Sequence, residues 1–115
     1  MIRRKNAFRT ETRENIRGGE GTIFIEHLLE SKEYFNKGRM FSKITIAPGC
    51  SVGEHTHTGE IEAFYILKGE ATVTDNGQTS VLRAGDVLYT QDGGSHSLTN
   101  NADTDLEYLA IIISK

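Results

Sequence analysis

The sequence predicts an all-β fold of the sandwich or barrel type. Short apolar stretches recur at close spacing, several alternate with period two, and turn residues separate them. No stretch carries the pattern of a long amphipathic helix, and no linker or low-complexity tract divides the chain. With 115 residues the expectation is one domain over 1–115, with 1–20 as an N-terminal arm or edge strand and 40–113 as the barrel.

Thr22 to Leu28 reads as the first clear strand, and Leu29 to Gly38 as a loop or one helical turn. Met40 to Ile46 alternates, with Met40, Ser42, Ile44 and Ile46 on one face, and ends at Pro48-Gly49. Glu62 to Leu67 is a further strand, closed by Lys68-Gly69. Ala71–Thr74 and Thr79–Leu82 flank Asn76-Gly77, a strong hairpin signal because both residues tolerate positive φ. Ala84-Gly85-Asp86 turns into Val87–Tyr89, and Gly93-Gly94 into a strand carrying His96. The last strand, Leu106 to Ile113, is nearly all apolar and is expected to be buried on both faces.

The formal net charge of -3 gives no electrostatic basis for nucleic-acid binding. Basic residues gather near the N-terminus, but Glu11, Glu14 and Glu20 interleave with them, as on a solvated arm or edge strand. The single cysteine, Cys50, excludes an internal disulfide and fits a reducing compartment. The N-terminal stretch lacks the apolar core of a secretory signal, and no apolar run approaches the roughly 20 residues that cross a bilayer. A cytoplasmic location without membrane attachment is expected.

The chemistry concentrates in the histidines. Residues i and i+2 of a strand point to one side, so His55 and His57 can aim two imidazoles at one point. Glu62 follows shortly after, and His96 lies further on between Gly93-Gly94 and Asn100. Such convergent nitrogen and oxygen donors suit a divalent transition metal.

The spacing resembles the cupin superfamily, whose first motif is G-x5-H-x-H-x3,4-E-x6-G. Here Gly49, His55, His57, Glu62 and Gly69 fill it. The second, G-x5-P-x-G-x2-H-x3-N, is met by Gly85, Gly93, His96 and Asn100, with Gln91 at the proline position. The resemblance implies a double-stranded β-helix, a jelly-roll-like barrel, with His55, His57, Glu62 and His96 as metal ligands inside one open end. The metal it implies is Fe, Mn, Ni, Co or Zn. Glu60 competes with Glu62 as a ligand, but the motif spacing and the parity with Phe64 and Ile66 favour Glu62. That leaves Glu60 at a turn or the pocket rim, where it is the candidate catalytic base.

Other polar residues get plainer readings. Tyr65 alternates with Phe64 and should face outward; Tyr65 and Tyr89 are read as packing residues. Ser42 is a core hydroxyl or a pocket contact, Cys50 is structural, and His27 is a surface or interface residue. Asn100 is read as turn-forming. A homodimer is expected, with Ile23–Leu28 and Ile111–Ile113 as candidate contacts. The functional expectation is a small metalloenzyme, of oxygenase, isomerase or lyase type, acting on a small polar metabolite such as a sugar or carboxylate. The alternative is a binding or sensor protein that holds such a ligand without turnover. Arginines of the arm could clamp an anion if a partner's arm reached the pocket.

Overall fold

The computed structural model describes all 115 residues. Ten strands form two antiparallel sheets: β1 (Arg9–Glu14), β2 (Thr22–His27), β3 (Gly38–Ile46), β4 (Ser51–Thr56), β5 (Glu60–Lys68), β6 (Glu70–Asp75), β7 (Gln78–Arg83), β8 (Val87–Thr90), β9 (Ser95–Thr99) and β10 (Leu106–Ser114). One sheet has six strands in the order β1-β2-β3-β10-β5-β8, and the other four in the order β4-β9-β6-β7. From β3 onward the chain crosses between the sheets at every step except the β6–β7 hairpin, which is the jelly-roll wrapping expected from the sequence. Two 3-10 turns, Ile16–Gly18 and Ser31–Tyr34, are the only helical pieces. No helix is long and apolar enough to cross a membrane.

Alternation explains the packing. Met40, Ser42, Ile44 and Ile46 are all buried, as are Phe64 and Ile66 on β5 and Leu106, Tyr108, Ala110 and Ile112 on β10. These side chains fill the space between the sheets together with Ile23, Ile25, Val73 and Leu98. The Asn76-Gly77 hairpin forms as expected: both residues have positive φ, and Asp75 pairs with Gln78.

Two readings need correction. The last strand is not buried on both faces: buried residues alternate with half-buried ones and, at Ile113, an exposed one, because only one face meets the core. In the segments expected to contact a partner, Ile23, Ile25 and Ile112 point into the barrel, while Phe24 and Ile113 are exposed on the outer face. His27 is 6% exposed rather than superficial, continuing the inward parity of Ile23 and Ile25. Its Nδ1 lies 3.0 Å from the Ser42 hydroxyl and its Nε2 2.7 Å from Glu11. Ser42 is thereby a satisfied core hydroxyl, away from the pocket.

β1 is the edge strand of the large sheet, and its residues are mostly exposed. Beyond its backbone pairing with β2, ion pairs fasten it. Glu11 binds Arg13, Arg9 and His27, and Arg13 chiefly, then His27, hold its carboxyl at about 2 against an ordinary 4.5. A carboxyl depressed by folding stabilises the fold above its unfolded pKa, and that contribution is lost as pH falls from about 4.5 toward 2. Thermal melts across this window should therefore fall less steeply for Glu11→Gln than for the wild type. Equal slopes would mean that Glu11 adds nothing to acid stability.

Candidate metal centre

The site bridges the two sheets at one end of the barrel. His55 comes from β4 and His96 from β9, where the two residues are paired directly across the ladder. Glu62 comes from β5, on the same inward face as Phe64 and Ile66. A bulge between Val52 and His55 breaks the period of β4, which is how both side chains come to line the same interior cavity. His57 lies just past the end of β4. Its N–H donates to the Gly94 carbonyl and its carbonyl accepts from the Gly93 N–H, at 2.9 and 2.7 Å. The turn that carries Gln91 in place of proline closes through a 2.8 Å bond from the Gly94 N–H to the Gln91 carbonyl.

The four donors meet. His57 Nε2 and His55 Nε2 each lie 3.2 Å from His96 Nε2. Glu62 Oε1 is 2.8 Å from His57 Nε2 and 3.0 Å from His96 Nε2. All four ligand atoms fall within 4.8 Å of one another. Such separations are those of neighbouring donors around one ion at metal–nitrogen distances of about 2.1 Å.

The outward nitrogens explain why the inward ones fit a cation. His55 Nδ1 donates to the Gly53 carbonyl at 2.8 Å, and His57 Nδ1 donates to Glu60 at 2.5 Å. In a neutral imidazole a protonated Nδ1 leaves Nε2 as a lone pair. Two such lone pairs therefore converge on a buried carboxylate, an arrangement that calls for positive charge. His96 Nδ1 meets the Thr90 hydroxyl at 2.7 Å, which can donate or accept. Burial pushes the Glu62 carboxyl up, but bonds from His57 and His96 outweigh it and hold it low. Glu62 in turn raises the pKa of His57 against the opposing effect of burial, with Glu60 adding to the rise, so a proton competes for the position a metal would take. Burial lowers His55, which keeps that ring neutral.

Glu60 sits behind this layer. Arg39 Nε and Nη2 grip its two oxygens at 2.9 and 2.7 Å, and the second oxygen also meets His57. Arg39 first, and then His57, hold its carboxyl at about 2, opposed by burial. The carboxylate is thus bound on both oxygens and faces His57.

The donors open onto a cavity of about 100 Å³. Its walls are largely apolar, with Ile25, Met40, Ile44, Phe64 and Ile112 among them, and Arg13 and Arg17 also line it. Arg17 lies in the left-handed region at φ 54°, on the 3-10 turn that packs against β4. Gly53 permits that docking, since a Cβ there would lie 2.0 Å from the Arg17 carbonyl oxygen. Arg13 and Arg17 of the same chain thus line the pocket, Arg13 while paired with Glu11, whereas Arg3 and Arg9 pair with Glu33 and Glu30.

The outer face of the large sheet carries Tyr65 and Tyr89, 44% and 58% exposed and far from the donors in orientation. Cys50 is half-buried and free. Sequence reasoning missed Arg39 and Thr90, whose roles depend on register across β3, β5 and β8. It also missed Tyr108. That residue is 1% exposed and lines the cavity, and burial pushes its hydroxyl well above the ordinary tyrosine range, so it stays protonated.

A family model described as cupin domain matches residues 42–112, and the chain belongs to that family. The chain is 45% identical to an oxalate-binding protein of Thermotoga maritima, over 98% of this chain and 93% of that protein. A crystal structure of a predicted oxalate decarboxylase from Thermotoga maritima superposes with a TM-score of 0.95 at 44% identity, covering 100% of both chains. The cupin domain of Schizosaccharomyces pombe Cnp3 shares the fold with a TM-score of 0.74 at 14% identity, over 91% of this chain and 69% of that one.

Proposed function

We propose that this cupin binds one divalent transition metal through His55, His57, Glu62 and His96, and through it a small carboxylate of the oxalate type. The observation that carries the reading is the convergence of lone pairs on a buried carboxylate beneath a cavity lined by Arg13 and Arg17. A divalent ion and one ligand carboxylate leave a centre of roughly +1, which attracts anions, and Arg17 adds to that field, the charge of Arg13 being offset by Glu11. The relative's name, oxalate-binding protein, supports the same ligand class. When bound, the metal supplies Lewis acidity toward carboxylate oxygens.

Of the two functional expectations, holding a ligand without turnover is the better supported. The chain's own groups bind and orient: His55 and His57 are fixed through their Nδ1 atoms, and the apolar walls exclude water. Glu60 was expected as a catalytic base, but a carboxylate tied to Arg39 and His57 serves better to orient His57. A lyase reading, cleavage of the oxalate carbon–carbon bond with uptake of one proton to give formate and carbon dioxide, is favoured by the solved structure described as a predicted oxalate decarboxylase. Oxygenase and isomerase chemistry has no comparable support.

Calorimetric titration of oxalate into the manganese-loaded protein tests the reading, with formate and carbon dioxide assayed in parallel. Binding without products is the expected result; products would favour the lyase, and absence of binding would end the oxalate proposal. Glu60→Gln should weaken metal binding about 10- to 100-fold while the barrel stays folded. Unchanged metal affinity with lost turnover would return Glu60 to the role of base.

A cytoplasmic setting remains part of the proposal, in keeping with the lone Cys50. So does a homodimer. Its contact is sought on the outer face of the large sheet, where Tyr65, Val87 and Tyr89 are exposed along with Ile113 of the last strand. Sedimentation showing a monomer at all concentrations would remove it.

A further inference from the structure

Among the polar side chains between the sheets, Tyr108 stands apart. Its inward-facing polar neighbours are paired: Ser42 with His27, Thr90 with His96, and Asn100 with backbone groups. The Tyr108 ring is fixed, packing against Phe64 at a centroid distance of 4.7 Å, and Phe64 stacks on His96 at 4.9 Å. β10 holds the backbone between Ile44 of β3 and Ile66 of β5. Its hydroxyl makes no hydrogen bond within the protein. Yet no buried side-chain polar atom is both sealed from solvent and unpartnered. For a residue 1% exposed that lines the cavity, the hydroxyl must meet open space there.

A buried phenol normally finds a partner, since leaving one unmade is costly. An inward phenylalanine would fill the same core volume without that cost. The hydroxyl therefore has a use that the protein alone does not satisfy.

We infer that Tyr108 is a ligand-binding residue, donating a hydrogen bond from its neutral hydroxyl to a carboxylate oxygen of the anion held at the metal centre. This rests on the carboxylate-binding function proposed above and adds a specificity element to it. The metal and Arg17 attract any small anion. A fixed neutral donor in an apolar wall favours a ligand that offers a second acceptor beyond the group on the metal. A dicarboxylate meets that requirement, and a monocarboxylate such as acetate meets it poorly.

The test compares wild type with Tyr108→Phe, titrating manganese first and then oxalate or acetate into the loaded protein. The phenylalanine variant should keep the wild-type manganese affinity and melt at the same temperature or higher. Oxalate should bind it about 10- to 100-fold more weakly, and acetate nearly unchanged, so that the preference for oxalate collapses. Oxalate should also perturb the ultraviolet tyrosine band of the loaded wild type, a signal lost in the variant and readable without comparing affinities. Unchanged oxalate affinity in the variant, with no tyrosine band shift in the wild type, would overturn the role of Tyr108 and leave the proposed function standing. A wild type that takes up manganese but binds neither carboxylate would overturn both.

Discussion

Replacing His57 with alanine will cost more than about 100-fold in divalent-metal affinity and leave a folded barrel. His57 supplies one of four donors, which is more than the loss of an outer partner. It also connects two layers: its Nε2 contacts Glu62, and its Nδ1 anchors Glu60, which Arg39 holds in turn. The backbone bonds that place residue 57 against Gly93 and Gly94 do not need the imidazole, so the local turn survives. Two measurements read the outcome. Calorimetry should give a metal isotherm for the wild type and none for the variant. Thermal melts should rise with added metal only in the wild type, since a ligand at about 1,000 times its dissociation constant stabilises by about 4 kcal/mol. A variant that retains metal-induced stabilisation would show that the ion binds elsewhere.

Asn100→Ala will be strongly destabilising, by about 3–5 kcal/mol, without touching the donors. The side chain is fully buried. Its Nδ2 donates to the Ile46 and Thr104 carbonyls, both at 2.8 Å, and its Oδ1 accepts from the Ala102 N–H at 3.0 Å. Alanine leaves those three backbone groups without their partner, each at a cost of about 1–3 kcal/mol. That is a large share of the roughly 5–15 kcal/mol typical of a domain. Aspartate, isosteric but unable to donate to both carbonyls, should be no better. Urea unfolding reads both variants, and a loss below about 1 kcal/mol for alanine would mean that the turn re-pairs its backbone without the side chain.

Much of this architecture was legible in the sequence, for identifiable reasons. The inward set Met40, Ser42, Ile44 and Ile46 follows from period two, and Asn76-Gly77 dictates its own turn. The inward parity of Glu62 with Phe64 and Ile66 was equally readable, and the motif spacing picked out the four residues that the fold brings together. β1 was harder: Arg9–Glu14 contains no apolar residue, because a mostly exposed edge strand needs no buried apolar face. His27 was misread although Ile23 and Ile25 set the parity that buries it; a histidine following apolar residues at spacing two belonged with them. The bulge between Val52 and His55 left no such mark. Partners such as Arg39 behind Glu60, or Thr90 behind His96, are set by pairing between distant strands, which periodicity within one strand does not encode.

The most direct measurement is elemental analysis of the protein purified without a metal-chelating tag, followed by titration of any metal-free fraction. About one equivalent of iron, manganese, nickel, cobalt or zinc per chain, or uptake to that level, is the result expected of a site built from His55, His57, Glu62 and His96. No metal as purified and no uptake on titration would contradict a metal-centred site. The converging imidazoles would then be a buried polar cluster that holds a proton in place of an ion.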